Sequence, residues 1–181
     1  APVSTLLSIS HRYDESSSSI WVTDDSSLHF STENASGLQY RVWDGSWSTW
    51  STITTNFTLG SRNDGIIHVE WFAFNGTLTE DYHNQSLIYD DTNPIVSLSV
   101  GDPADGNRIA PWTPVTLNAS DSGVGLNTTK YRIHDGQQWS SWTDYNGVFN
   151  LSNLAGTVII EAISTDYLNI SSTTLNQSFI V

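Results

Sequence analysis

Tyr40-Arg41-Val42-Trp43-Asp44-Gly45 returns 91 residues later as Tyr131-Arg132-Ile133-His134-Asp135-Gly136. The stretch that follows, Trp47-Ser48-Thr49-Trp50-Ser51, returns as Trp139-Ser140-Ser141-Trp142-Thr143 at an offset of 92. Working outward, Phe57-Thr58-Leu59 matches Phe149-Asn150-Leu151, Val69-Glu70 matches Ile160-Glu161, and Asn84-Gln85-Ser86 matches Asn176-Gln177-Ser178. Order is kept and the spacing drifts by one residue, so the chain is two copies of one domain. The turn-prone Asp90-Asp91-Thr92-Asn93-Pro94 separates them, giving domains 1–91 and 92–181.

Each copy reads as strands. Thr5 to Ile9, Leu28 to Phe30, Leu38 to Trp43, Ile66 to Phe74 and Ser86 to Tyr89 are short apolar or alternating runs in the first copy. Ile95 to Val100, Val115 to Leu117, Thr129 to Ile133, Val158 to Ile163 and Ser178 to Val181 do the same in the second. Turn formers interrupt them about every ten residues. Asp44-Gly45, Asp135-Gly136, Asn75-Gly76 and Asn146-Gly147 are tight-turn pairs, because both residue types tolerate positive φ. No run keeps a 3.6-residue period. About seven strands in some 90 residues predicts an all-β chain of two tandem β-sandwiches. Along the longest strands, Val158, Ile160 and Ala162, and likewise Ile67, Val69 and Trp71, are expected inside. Glu70 and Glu161 then face away.

The second copy, from Pro94 to Val181, resembles the immunoglobulin-like repeats of bacterial and archaeal surface proteins. The resemblance rests on Asp121-Ser122-Gly123-Val124-Gly125, Tyr131 to Gly136, Trp139, and the strand Thr157 to Ile163 ending in Thr165-Asp166. In Tyr167-Leu168-Asn169 the asparagine of the family's closing turn is kept and its glycine is lost. The first copy lacks the Asp-Ser-Gly segment and matches at the level of fold. The resemblance implies an immunoglobulin-like fold, a repeat-built extracellular molecule and no particular chemistry.

Composition narrows the partners. The 181 residues hold 6 Lys and Arg against 19 Asp and Glu, a net charge of −13. That argues against a nucleic-acid binder and equally disfavours docking on an anionic membrane surface. There is no cysteine, hence no disulfide and no thiolate site. No apolar run approaches the roughly 18 residues of a membrane span. Ala1-Pro2 reads as the start of a processed chain. Charged residues make up 14%, against about 25% in an average domain. Ser, Thr and Asn take their place.

Asparagine followed two residues later by Ser or Thr is a glycosylation acceptor. Asn34, Asn56, Asn75, Asn84, Asn118, Asn127, Asn150, Asn169 and Asn176 fit, whereas chance pairing in this composition would give about 3.6 such matches. Trp47, Trp50, Trp139 and Trp142 are the candidate contact residues. On a regular strand, residues three apart face opposite sides. One tryptophan of each pair is therefore expected in the core and the other at a contact surface or sugar platform. His11, His29, His68, His83 and His134 are scattered, and no nucleophile elbow, paired-His zinc motif or phosphate loop is present. Glu70 and Glu161 occupy one repeated strand position rather than a catalytic pair. A non-enzyme without cofactor is expected. Asp90, Asp91, Asn93, Asp102, Asp105, Asn107 and Asp121 read as turn formers, with a linker Ca²⁺ as the alternative.

The chain has one lysine, Lys130, to guard its strand edges, and its apolar Phe179-Ile180-Val181 and Thr5 to Ile9 read as open edges. The sequence thus predicts a glycosylated structural subunit at the cell surface, in a filament, surface layer or stalk. It would self-associate through strand edges and aromatic contacts. The alternative is a carbohydrate-binding or adhesin module using exposed tryptophans.

Overall fold

Among the described residues, 1–16 and 18–181 of a computed structural model, every regular element is a strand. The chain divides into two units, Ala1–Asp91 and Thr92–Val181. The first holds β1 (Val3–Ile9), β2 (Arg12–Ser16), β3 (Ser19–Val22), β4 (Ser27–Glu33), β5 (Gly37–Trp43), β6 (Ser51–Ile53), β7 (Asn56–Thr58), β8 (Gly65–Asn75), β9 (Leu78–Thr79) and β10 (His83–Tyr89). The second holds β11 (Ile95–Val100), β12 (Ala104–Asp105), β13 (Arg108–Ile109), β14 (Val115–Ser120), β15 (Leu126–His134), β16 (Thr143–Asp144), β17 (Thr157–Asp166) and β18 (Leu175–Ile180).

Each unit is an immunoglobulin-like sandwich. In the first, the sheet β1-β4-β7 faces the sheet β2-β3-β10-β8-β5-β6. In the second, β11-β14 faces β12-β13-β18-β17-β15-β16, and the counterpart of β7 shrinks to a bridge between Val115 and Phe149. Alternation decides which side is buried. Ile67, Val69, Val158, Ile160 and Ala162 are fully buried and Trp71 nearly so, while Glu70 and Glu161 lie on the outer face. The first core gathers Leu28, Phe30, Leu38, Val42, Phe57, Leu87 and Tyr89 around them. The second is smaller, built on Ile109, Val115, Leu151 and Phe179. The four tight-turn glycines, Gly45, Gly76, Gly136 and Gly147, all take positive φ. Asn169 does so at 66° without a glycine, and Asp166 closes the turn by accepting the Leu168 and Ile170 amides, each at 2.8 Å.

Two features depart from expectation. A short hairpin, β2–β3 or β12–β13, is inserted after the first strand of each unit. Its second strand joins the last strand in parallel, with Tyr89 beside Val22 and Ile180 beside Arg108. Consequently Phe179-Ile180-Val181 is not an open edge. β18 lies between β17 and β13, Phe179 is in the core, and Val181 exchanges backbone hydrogen bonds with Gly156. In the opposite sheets β1 and β11 are edge strands, as are the short outer strands β2, β6, β7, β12 and β16 and the second strand of the β11-β14 pair.

Candidate functional site

The repeated Tyr-Arg…Trp-Ser-x-Trp segment builds the same cluster twice. Arg41 on β5 stands directly across from Glu70 on β8, and Arg132 on β15 across from Glu161 on β17. Arg41 reaches Glu70 Oε2 with Nε at 2.8 Å and Nη2 at 2.7 Å. Arg132 repeats this with Glu161 Oε2 at 2.7 and 2.6 Å. The Arg41 guanidinium carbon lies 4.3 Å from the centre of Trp47 and 4.6 Å from that of Trp50. In the second unit Trp139 and Trp142 hold Arg132 at 4.4 and 4.8 Å. Such cation–π contacts are each worth about 0.5–2 kcal/mol, depending on desolvation.

This corrects the expectation of one buried and one outward tryptophan. None of Trp47, Trp50, Trp139 or Trp142 enters a core, and both members of each pair stack on one guanidinium. The reason lies in the serine between them. The Ser48 amide donates to the Val42 carbonyl at 2.9 Å, and its Oγ accepts the Val42 amide at 3.1 Å. Ser140 binds Ile133 in the same way, at 2.8 and 3.0 Å. A side-chain oxygen thus replaces a strand carbonyl, the two-residue period fails, and positions three apart come to the same side.

Around the first clasp the outer face is aromatic. Trp50 meets Phe72 at 5.0 Å and Tyr82 at 5.4 Å, and Trp43 meets His68 at 5.3 Å. Asn84 pairs with Glu70 in register, and Asn176 Nδ2 donates to Glu161 Oε1 at 3.1 Å, so these equivalent acceptors flank the two clasps. All nine acceptor asparagines are exposed: Asn34, Asn56, Asn75, Asn84, Asn118, Asn127, Asn150, Asn169 and Asn176. The remaining five asparagines are exposed too, so exposure permits sugar at every acceptor without singling one out.

Several of the junction residues have partners of their own. Asp121 Oδ2 accepts the Gly123 and Gly125 amides at 3.0 and 2.8 Å. Asn93 Nδ2 donates to Ser171 O at 2.6 Å, and the Asp105 backbone lies opposite that of Arg108 in the β12–β13 ladder. Asp91 accepts the Thr23 hydroxyl at 3.2 Å, and its carboxyl is pushed above the usual range by burial and by the neighbouring Asp24. Sequence reasoning did not single out Glu80. It accepts the Ser4 amide at 2.9 Å, the Ser4 hydroxyl and the Ala73 amide at 2.6 Å, fastening β1 to the β9 loop. Burial pushes Glu80 up, but the hydrogen bonds from Ser4 and Ala73 outweigh it and hold the carboxyl below its ordinary value.

Fold and site together define a modular protein of two immunoglobulin-like β-sandwiches. No protein-family model matches the sequence, and no curated protein does. Among solved structures, the fibronectin(III)-like modules of Clostridium thermocellum CbhA are similar at 14% identity and a TM-score of 0.44, over 99% of this chain and 94% of that one. Bacteroides uniformis beta-glucuronidase 3 is similar at 14% identity and a TM-score of 0.32, over 98% of this chain and 24% of that one. No helix among the described residues is long and apolar enough to cross a membrane.

Proposed function

We propose that the chain is a non-enzymatic, glycosylated structural subunit of an extracellular surface assembly, which self-associates along a strand edge. The observation that carries this reading is the outward placement of all nine glycosylation acceptors on two sandwiches whose repeated polar cluster is spent on internal packing. Glu70 and Glu161 are each neutralised by their own arginine, and each indole of the two clasps already lies against a guanidinium. A sugar platform therefore has less aromatic face to use than the bare sequence suggested.

The edges of the two first strands differ. β1 carries a bulge between Leu6 and Ser8, and its Ser4 amide is taken by Glu80. β11 runs in unbroken register with β14 from Ile95 to Val100, with Ile95 exposed. An even, unguarded edge is the better template for strand addition. Intact mass and peptide mapping of native-source protein test the sugar coat. Increments above 20.0 kDa are expected. A bare mass would overturn the glycosylated reading. Sedimentation velocity tests the edge: association that rises with concentration and weakens in Ile95→Lys is expected. A monomer at every concentration would refute it.

A further inference from the structure

The two copies differ at one place that bears on binding. In the first unit the third residue after buried Leu59 is Arg62, whose Nη1 lies 3.7 Å from Asp44 Oδ2. In the second unit the third residue after buried Leu151 is Leu154, which cannot pair with Asp135, the counterpart of Asp44. In that unit a hollow of about 270 Å³ is open, lined by Ile133, Trp139 and Leu154 on the apolar side and Asp135, Gln138 and Ser140 on the polar side. Asp135 Oδ1 accepts the Gln138 and Gln137 amides at 2.8 and 2.9 Å, and among the described residues Oδ2 takes no hydrogen bond. Those two hydrogen bonds keep its carboxyl below the usual range, hence ionised at neutral pH. What the second unit lacks is the guanidinium that the first supplies from its own chain.

One guanidinium lacks an ion pair among the described residues. Arg12, Arg41, Arg62, Lys130 and Arg132 each face a carboxylate. Arg108, exposed on the β12–β13 hairpin, is the remaining lysine or arginine and has no ion pair among the described residues. We infer that the hollow of the second unit is a receptor for an arginine side chain, and that Arg108 of a second copy fills it. A planar guanidinium fits the demand, since it binds carboxylate by a rigid fork while lying against apolar and aromatic surface. Reciprocal insertion would close a dimer, and one-way insertion would propagate a chain of subunits. This deepens the self-associating reading by naming a second contact, independent of the β11 edge.

The test is sedimentation velocity of the full chain with variants at both halves. Arg108→Gln and Asp135→Asn should each weaken association about tenfold, and 0.5 M NaCl should do the same. Leu154→Arg should weaken it at least as much by filling the hollow from within, and circular dichroism would confirm that this variant keeps its strands. Association lost in Ile95→Lys but unchanged in Arg108→Gln and Leu154→Arg would overturn this contact while leaving the edge standing. Titration with N-acetyl-arginine amide, N-acetyl-citrulline amide and a methyl pyranoside, read by the Trp139 indole N–H signal, separates the remaining outcomes. Arginine binding at least tenfold tighter than citrulline is expected. Arginine binding without self-association would assign the hollow to a foreign polypeptide, and preference for the pyranoside would make it a sugar site. Either overturns the proposal.

Discussion

Arg41 and Arg132 are where single side chains matter most. Each joins two strands through its glutamate and anchors a loop through two indoles. Arg41→Ala should cost the first unit about 2–4 kcal/mol, because it removes the stacking and leaves Glu70 half-buried without its cation. Arg41→Lys should recover less than half of that loss, since an ammonium cannot lie flat between two rings while forking to a carboxylate. Urea unfolding followed by tryptophan fluorescence reads both. Glu80 carries the pH dependence. Its folded value lies below its unfolded one, so its contribution is present above about pH 4.5 and is lost as pH falls through the folded value. Glu80→Gln should therefore destabilise the first unit by about 2 kcal/mol at pH 7 and by much less at pH 3. Asp91 acts in the opposite sense, being raised, so Asp91→Asn should stabilise at pH 7 and change little in acid. The clasp could have been read from the sequence. Arg41, Glu70 and both tryptophans recur together as Arg132, Glu161, Trp139 and Trp142, but a strand period imposed on the tryptophans hid it.

Hydrophobic alternation is strong in the long strands, which is why β5, β8, β11 and β17 are legible residue by residue. The inserted hairpins are not. Arg12–Ser16 is almost wholly exposed, and Ala104–Asp105 is two residues long, so neither has an apolar face to announce it. Only the pairing partner makes them strands. The serine straps make an equally local claim. Ser48→Ala and Ser140→Ala should each cost about 1–2 kcal/mol by leaving the Val42 or Ile133 amide without its acceptor. The tryptophan emission of that unit should shift as the loop loosens. A Ser48→Ala variant as stable as wild type, with unchanged emission, would mean the indoles alone hold the loop.

Each unit carries its own core, and the two cores are unequal. The first has Phe30 and Phe57 stacked, Tyr40 3.6 Å from Phe57, and buried Tyr89 binding Gly60 and Arg62 through its hydroxyl. The second has a smaller cluster and no counterpart strand to β7. Calorimetry should show two transitions with the second unit melting first, and residues 92–181 expressed alone should keep that lower transition. The parallel hairpins have a further consequence, in mechanics. Trp21 and Val22, early in the first unit, lie alongside Ile88 and Tyr89 at its end, and Arg108 lies alongside Ile180. Once the first strand of a unit has been pulled free, tension would slide these strands past each other. Bonds loaded lengthwise share the pull and break together, whereas an antiparallel end would peel open one bond at a time. Each hairpin is thus a latch that tightens its unit against stretching, and a pulling experiment should find the rupture force falling sharply once Ala104–Ile109 is cut away.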